Sequence, residues 1–591
     1  MNKQMFPAKP TVFLLLILVV MLAGCRSESE PVPEVEADTS IQVDAADTIY
    51  RHGVILTMHD AEPLVEAVAI RDGLIVAVGD SAAVVDAHRG SNTEVVDLEG
   101  QTMIPGFIDS HSHFSQVGLQ AISANLLPPP DGPAQSVGDI QQTLTEFIET
   151  SSMIDDFGLA IGFNYDDSQL SEQRSPTRQE LDAVSTEIPI IAIHQSGHLG
   201  VYSSLALEQL GIDADTANPD GGVIYREDDG VTPNGLLAEN AHIASLIQML
   251  PQFSQQQTFD MYAAAQAIYL ENGFTTVQDG RADPVTVASM IAADQAELFK
   301  VNVISYPDLV MTEQNDLLAG RYMSLDAPGR FRIGGVKLSF DGSPQGKTAW
   351  FTEPYFQPPP GESDDYLGFP IFSDENELAR LVGMAFEQDW QLMVHANGDA
   401  AIDQMVRMIE TVGAEFPERD RRPILIHGQF LRADQIPSLV NLGIFPSLYP
   451  MHTFYWGDWH RSSVAGPKRA EFISPTGAVF ETGVPFGIHS DAPVTFPNSM
   501  RILDSAVNRT TRSGHVLGPD QRIDPLTALK AMTIWPAYQH FEEDQKGSIE
   551  VGKVADLVVL SDNPLEIESS ELINMHVVST IKAGEVLYQT D

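Results

Sequence analysis

The 591-residue chain has a single cysteine, Cys25, so no internal disulfide can form. Basic residues are also scarce. There are 33 lysines and arginines against 82 aspartates and glutamates, a formal net charge of −49. Phosphate binding needs the opposite sign, which excludes nucleic acid as a partner. The acidity reads instead as a solvated surface that keeps the protein soluble. After residue 22 no apolar run is long enough to span a bilayer, and no internal repeat of fixed period is visible. The hydrophobic share of 43% is ordinary for globular cores, and the length calls for several domains.

The N-terminus is of another kind. Lys3 and Lys9 precede the apolar run 12–22, which leads into Leu22, Ala23, Gly24 and Cys25. A basic start, a short apolar core and small residues make a secretory signal. The ending resembles the bacterial lipobox, whose cysteine is lipidated and begins the mature chain. An uncleaved anchor helix with an incidental cysteine is the alternative. The expectation is a lipoprotein signal peptide over 1–25, with Cys25 lipidated, and a disordered acidic tether over 26–47, rich in Glu, Asp, Pro and Ser. That places the protein on the periplasmic side of a bacterial cell envelope, held to the membrane by Cys25. Arg26 resembles the outer-membrane-sorted type.

Residues 48–105 and 548–591 read as short strands broken by Asp-Gly, Gly-Asp and Glu-Gly turns. Together they predict one small β-sandwich built from both chain ends. Between them the pattern is α/β. Short apolar runs occur at 106–113, 274–280, 300–306, 334–342, 390–398, 423–429, 443–450 and 484–493, with helical stretches between most of them. Eight such runs are the count of a (β/α)8 TIM barrel, here spanning 106–547. The gap at about 115–270 is too long for one crossover and predicts an inserted lid or subdomain after the first barrel strand.

Unusual polar residues fall at or near the ends of these runs: His111 and His113, Lys337 with Asp341, His395, His427 and Asp491. In such a barrel the carboxyl ends of the strands converge on one mouth. Imidazole and carboxylate suit zinc and its neighbours. Two histidines one residue apart point to opposite faces of a strand, so His111 and His113 can share an ion only if the strand is ending there. Each residue has a plainer reading. One histidine among sixteen is more often structural, Lys337 has Asp341 to pair with, and Asp491 suits a helix N-cap. An ammonium group cannot ligate at all. Joint position at one end of several strands favours a site.

The stretches PGFIDSHSHF (105–114), PNGLLAENA (233–241), GFTTVQDG (273–280), GGVKLSFDGSPQGKTAW (334–350), HANGDAAID (395–403), LIHGQF (425–430), HSDAPV (489–494) and the region 524–560 resemble the metal-dependent amidohydrolase superfamily. Within it they resemble amidohydrolase family 3, in its N-substituted formamide deformylase and D-aminoacylase-related branch. The resemblance covers about 48–591. It implies a centre of two divalent ions, zinc in the first instance: His111, His113 and Asp491 on one, His395 and His427 on the other, and Lys337 carboxylated by carbon dioxide to a bridging carbamate. A hydroxide between the metals would be the nucleophile, and Asp491 the general base and then acid. His198 matches a position near the substrate and would bond the carbonyl or its oxyanion. His489-Ser490-Asp491 departs from the family's Gly-Ser-Asp, and DGSPQGKTAW matches one branch better than the commoner Asp-Gly-Ser-Leu-Gly form.

Further candidates for substrate contact are Glu239, at a family glutamate whose role is open, Trp350 and His452 in aromatic mouth loops, and Arg501. Arg501 and Arg509 are read either as partners of a substrate carboxylate or as ordinary surface or salt-bridge residues. The aromatics would favour an apolar or aromatic substrate group, or merely pack the lid. The expected activity is hydrolysis of a non-peptide C–N bond in an N-acyl or N-formyl amide. A cyclic amide or ester hydrolase, and a non-catalytic binding lipoprotein, are the alternatives. The expected partners are a small-molecule amide and a membrane, with a homodimer possible.

Overall fold

Eight short parallel strand positions carry the middle of the chain. They are Phe107–Ile108, Phe274–Ala282, Asn302–Pro307, Phe331–Ile333 continued by Gly335–Ser339, Gln391–Ala396, Ile424–His427, Phe445–Leu448 and Gly487–Ile488. The computed structural model describes residues 45–590 except Asp220, Gln314, Asn315 and Pro360. Cys25, the signal segment and nearly all of the tether lie outside the described residues. Among the described residues no helix is long and apolar enough to cross a membrane.

The strands form two parallel arcs that meet at Gly334. A side chain there would lie 2.6 Å from the Tyr306 ring, so only glycine fits. Across this break Asp308 bridges to Lys337. The other seam is held by Ser110 Oγ and Ser447 Oγ, 2.9 Å apart, and by the Asp491 N–H donating to the His111 carbonyl at 3.3 Å. All eight runs read from the sequence are present as strands. They are almost wholly buried because a parallel sheet is covered on both faces, and this is what makes them continuous apolar runs. Outside them, helix Glu375–Glu387 buries Leu378, Leu381, Val382, Ala385 and Phe386 at helical spacing and is capped by Asp374.

The insertion is narrower than expected. Helices Phe114–Ala121 and Gln255–Glu271, read as part of it, belong to the barrel layer. Phe114, Val117, Tyr262, Ala265, Tyr269 and Leu270 join the main core. Between these helices a six-stranded sheet runs in the order Gly222–Arg226, Pro233–Glu239, Leu199–Tyr202, Ile190–His194, Ala160–Tyr165, Ala124–Asn125. It has apolar clusters of its own.

The two chain ends do meet, but in a single eight-stranded sheet. Strand Thr102–Pro105 pairs with Thr48–Leu56 on one side and with Leu557–Leu560 on the other. This continuous ladder joins what the sequence suggested were the layers of a sandwich.

Candidate active site

Strand Phe107–Ile108 has ended before residue 111, so the two following histidines are free to turn together. His111 Nδ1 lies 2.6 Å from Gln278 Oε1, and His113 Nδ1 lies 2.5 Å from the Gly280 carbonyl. An oxygen acceptor keeps the proton on Nδ1, leaving the Nε2 lone pair of each ring turned inward. Both Nε2 atoms are 3.3 Å from Asp491 Oδ1. Position 280 requires glycine, since a Cβ there would lie 2.5 Å from His111 Cε1.

Lys337 rises from strand Gly335–Ser339 to place Nζ 3.0 Å from His111 Nε2. Burial lowers its pKa to about 7. Its suggested partner Asp341 is engaged elsewhere, accepting the backbone N–H groups of Trp350, Asn397 and Gly398 at 2.8–2.9 Å. His395 donates Nε2–H to the Gly342 carbonyl at 3.2 Å and turns Nδ1 to within 3.0 Å of His427 Nε2. His427 and Asp491 both stand at positive φ, 70° and 56°, a costly backbone conformation that aims each side chain inward. His427 Nε2 is 3.9 Å from Asp491 Oδ2.

The structure thus gathers all six residues that the resemblance names as ligands. The donor set fits divalent metal. Ligand atoms of His111, His427 and Asp491 lie within 4.8 Å of one another. Asp491 Oδ1 and His427 Nδ1 are buried without a hydrogen-bond partner. Burial first, then the neighbouring charges, holds His111, His395 and His427 well below the ordinary histidine range, so the rings are neutral and their lone pairs available. Neutral imidazoles with a carboxylate suit zinc and similar ions.

The inserted sheet contributes His198 and Glu239. His198 Nδ1 is 2.9 Å from Glu239 Oε2, and the ring stands 6.5 Å, centroid to centroid, from His395. Burial opposes charge on both residues, but their mutual attraction outweighs it. The His198 pKa is raised and the Glu239 pKa lowered.

The remaining candidates divide. His452 opens helix His452–Trp459 beside the cluster, its ring 4.1 Å from Tyr449 and 6.4 Å from His427, with Nδ1 buried and unpartnered. Trp350 packs partly buried against the main core while its N–H holds Asp341. Arg501 pairs with Asp504 at 3.1 Å and covers the Phe454 ring at 3.9 Å, so both its charge and its plane are occupied. Arg509 is fully buried and donates to the carbonyls of Leu517, Ser474 and Ile473 at 2.6–3.0 Å. It ties loops together and does not meet a substrate. Arg509→Met should therefore destabilise the fold by about 3 kcal/mol or more, because three carbonyls lose their donor. A urea midpoint compared with wild type checks this.

Sequence reasoning missed two residues. Gln278, inside an apolar strand, orients His111, and nothing in its local pattern marks it. His489 was visible only as a departure from Gly-Ser-Asp. It is buried, stacked on Tyr449 at 4.9 Å, and its ring lies 5.3 Å from His111 and 5.2 Å from His427. It packs against two of the ligand rings. A second acidic group, Asp166 and Asp167 with His194, is internally bonded: His194 meets Asp167 at 3.0 Å and Ser196 at 2.9 Å, and Asp166 accepts Trp456 Nε1–H at 2.9 Å.

Comparison with known proteins agrees with this geometry. The amidohydrolase family model matches residues 94–588. Protein LONG AFTER FAR-RED 3 of Arabidopsis thaliana is 30% identical over 561 residues, covering 92% of each chain. N-substituted formamide deformylase of Arthrobacter pascens is 27% identical over 542 residues, covering 89% of this chain and 95% of that one. A metal-dependent hydrolase structure from Pyrococcus horikoshii OT3 superposes with a TM-score of 0.70 at 23% identity, covering 88% of this chain and 99% of that one, and so shares the fold. The chain belongs to the amidohydrolase family and is a hydrolase.

Proposed function

We propose that the protein hydrolyses an N-acyl or N-formyl amide. The observation that carries this reading is the convergence of His111, His113, Lys337, His395, His427 and Asp491 at one barrel mouth, with His198 facing them. The similarity to a formamide deformylase supports the substrate class. His111, His113 and Asp491 would hold one divalent ion, zinc in the first instance, and His395 and His427 a second, with Lys337 between them. The ions would supply Lewis acidity and a water of lowered pKa.

The chain's own groups do the rest. Asp491 takes the proton of the attacking water and returns it to the leaving nitrogen. His198, paired through Nδ1, presents Nε2 to the substrate carbonyl and donates to the oxygen as charge builds there. Lys337, pushed to about 7 by burial, is about half free amine at neutrality. A free amine adds to carbon dioxide and loses a proton to give a carbamate, an oxygen donor in place of an ammonium. With dissolved carbon dioxide held constant, reactivation of metal-stripped protein should speed up about tenfold between pH 6 and pH 8, following the neutral amine. A rate flat across that range would contradict it.

The N-terminal signal supports a lipid-anchored protein on the periplasmic side of the envelope, in the outer membrane. Changing Cys25 to Ser should release it from membranes. For the activity itself, zinc-loaded protein should be assayed on N-formyl, N-acyl and cyclic amides. Open-chain amides should turn over best. Turnover of esters or cyclic amides alone would overturn the proposed substrate class.

A further inference from the structure

Glu239 ends strand Pro233–Glu239 at φ 50°, ψ −127°. A residue with a side chain rarely adopts this conformation, and local structure alone would favour glycine there. Glu239 is fixed twice to the same residue. Its backbone N–H donates to the His198 carbonyl at 2.8 Å, and its Oε2 meets His198 Nδ1 at 2.9 Å. The other carboxylate oxygen, Oε1, is buried and makes no hydrogen bond of good geometry, although the Thr348 hydroxyl approaches the carboxylate. Strain and an incompletely bonded buried carboxylate are both unfavourable, so a stabilising role for Glu239 is a poor account of why it stands there. What the arrangement does achieve is geometric. With Nδ1 engaged, the ring cannot turn, and Nε2 is left on the side away from Glu239.

We infer that Glu239 is a positioning residue of the active site, holding His198 by Nδ1 so that Nε2 meets the substrate carbonyl oxygen. The inserted sheet is then a working part of the site, because both members of the pair are carried on it and neither on the barrel. This rests on the amide-hydrolase reading above. Glu239 acts only through His198, and that gives it a signature an ordinary structural residue lacks: once His198 is gone, Glu239 has nothing left to position.

The test is a double-mutant cycle on the zinc-loaded, full-length protein with Glu239→Gln, His198→Asn and both together. Glutamine keeps the size and removes the charge, and circular dichroism checks that each variant is folded. Each single change should lower kcat about 10- to 100-fold, with KM within about threefold and metal content per chain unchanged. In the His198→Asn background, Glu239→Gln should cost less than about twofold more. A second arm needs no turnover. Methylphosphonate, a tetrahedral anion, is titrated calorimetrically into the same four proteins. Its Kd should rise about tenfold in each single variant and no further in the double. The inference is overturned if Glu239→Gln behaves as wild type, or if its effect is as large without His198 as with it. If the phosphonate cycle holds but no amide is hydrolysed, the amide reading fails and the positioning role stands.

Discussion

Lys337→Ala is expected to strip the protein of at least one metal and to lower kcat/KM by about 10⁴-fold or more, the scale of losing an ion that both polarises substrate and activates water. The reason lies in where the amine sits. Lys337 Nζ is 3.0 Å from His111 Nε2, is fully buried, and has no carboxylate bonded to it. Asp341, the acid nearest to it in sequence, spends its oxygens on three backbone N–H groups, and Asp491 and Asp308 act on the amine through their charge without bonding to it. A buried lysine with no counter-ion in contact is costly unless it is converted to something else. Alanine also leaves a cavity, so Lys337→Met serves as the control. It fills the space, offers no oxygen donor, and should be as inactive as alanine while remaining more stable. Metal analysis and steady-state kinetics on both variants decide the matter. Full activity in either removes Lys337 from the site.

Asp491→Asn should leave the fold intact and reduce kcat about 10³-fold or more, with a smaller change in KM. Asparagine preserves the shape and one oxygen, so His111 and His113 still face a ligand atom at their 3.3 Å distances. What is lost is the negative charge and the ability to take a proton. The positive φ of 56° at this position is tolerated by asparagine as readily as by aspartate, so the backbone gives no separate penalty. A variant with near-normal kcat would show that another group handles the proton.

Much of this site was legible in the sequence because parallel barrel strands are buried on both faces. Runs such as Ile424–His427 are therefore apolar up to the residue that faces the mouth, and a terminal histidine stands out. His111 and His113 were ambiguous until the strand was seen to stop at Ile108. Other features depend on packing that no local pattern carries. Gln278 orients His111 from across 167 residues of sequence. Helices Phe114–Ala121 and Gln255–Glu271 look like any amphipathic helices, so their membership of the barrel layer, and with it the true extent of the insertion, appears only in the core they share. Arg501 and Arg509 show the same limit. An arginine reads alike whether it meets a substrate, a neighbouring aspartate or three carbonyls, and here the last two hold. The chain-end strands were found, but the bridging position of Thr102–Pro105, which makes one sheet of them, is a matter of pairing rather than composition.

The proposed active site is a two-metal centre bridged by a carboxylated lysine. The most direct measurement is metal content by plasma mass spectrometry on protein reconstituted with zinc and bicarbonate, alongside ¹³C NMR of protein exposed to ¹³C-bicarbonate. The account predicts about two ions per chain and one carbamate resonance that is absent in Lys337→Met. Full hydrolytic activity in metal-free protein, with no carbamate signal, would contradict it.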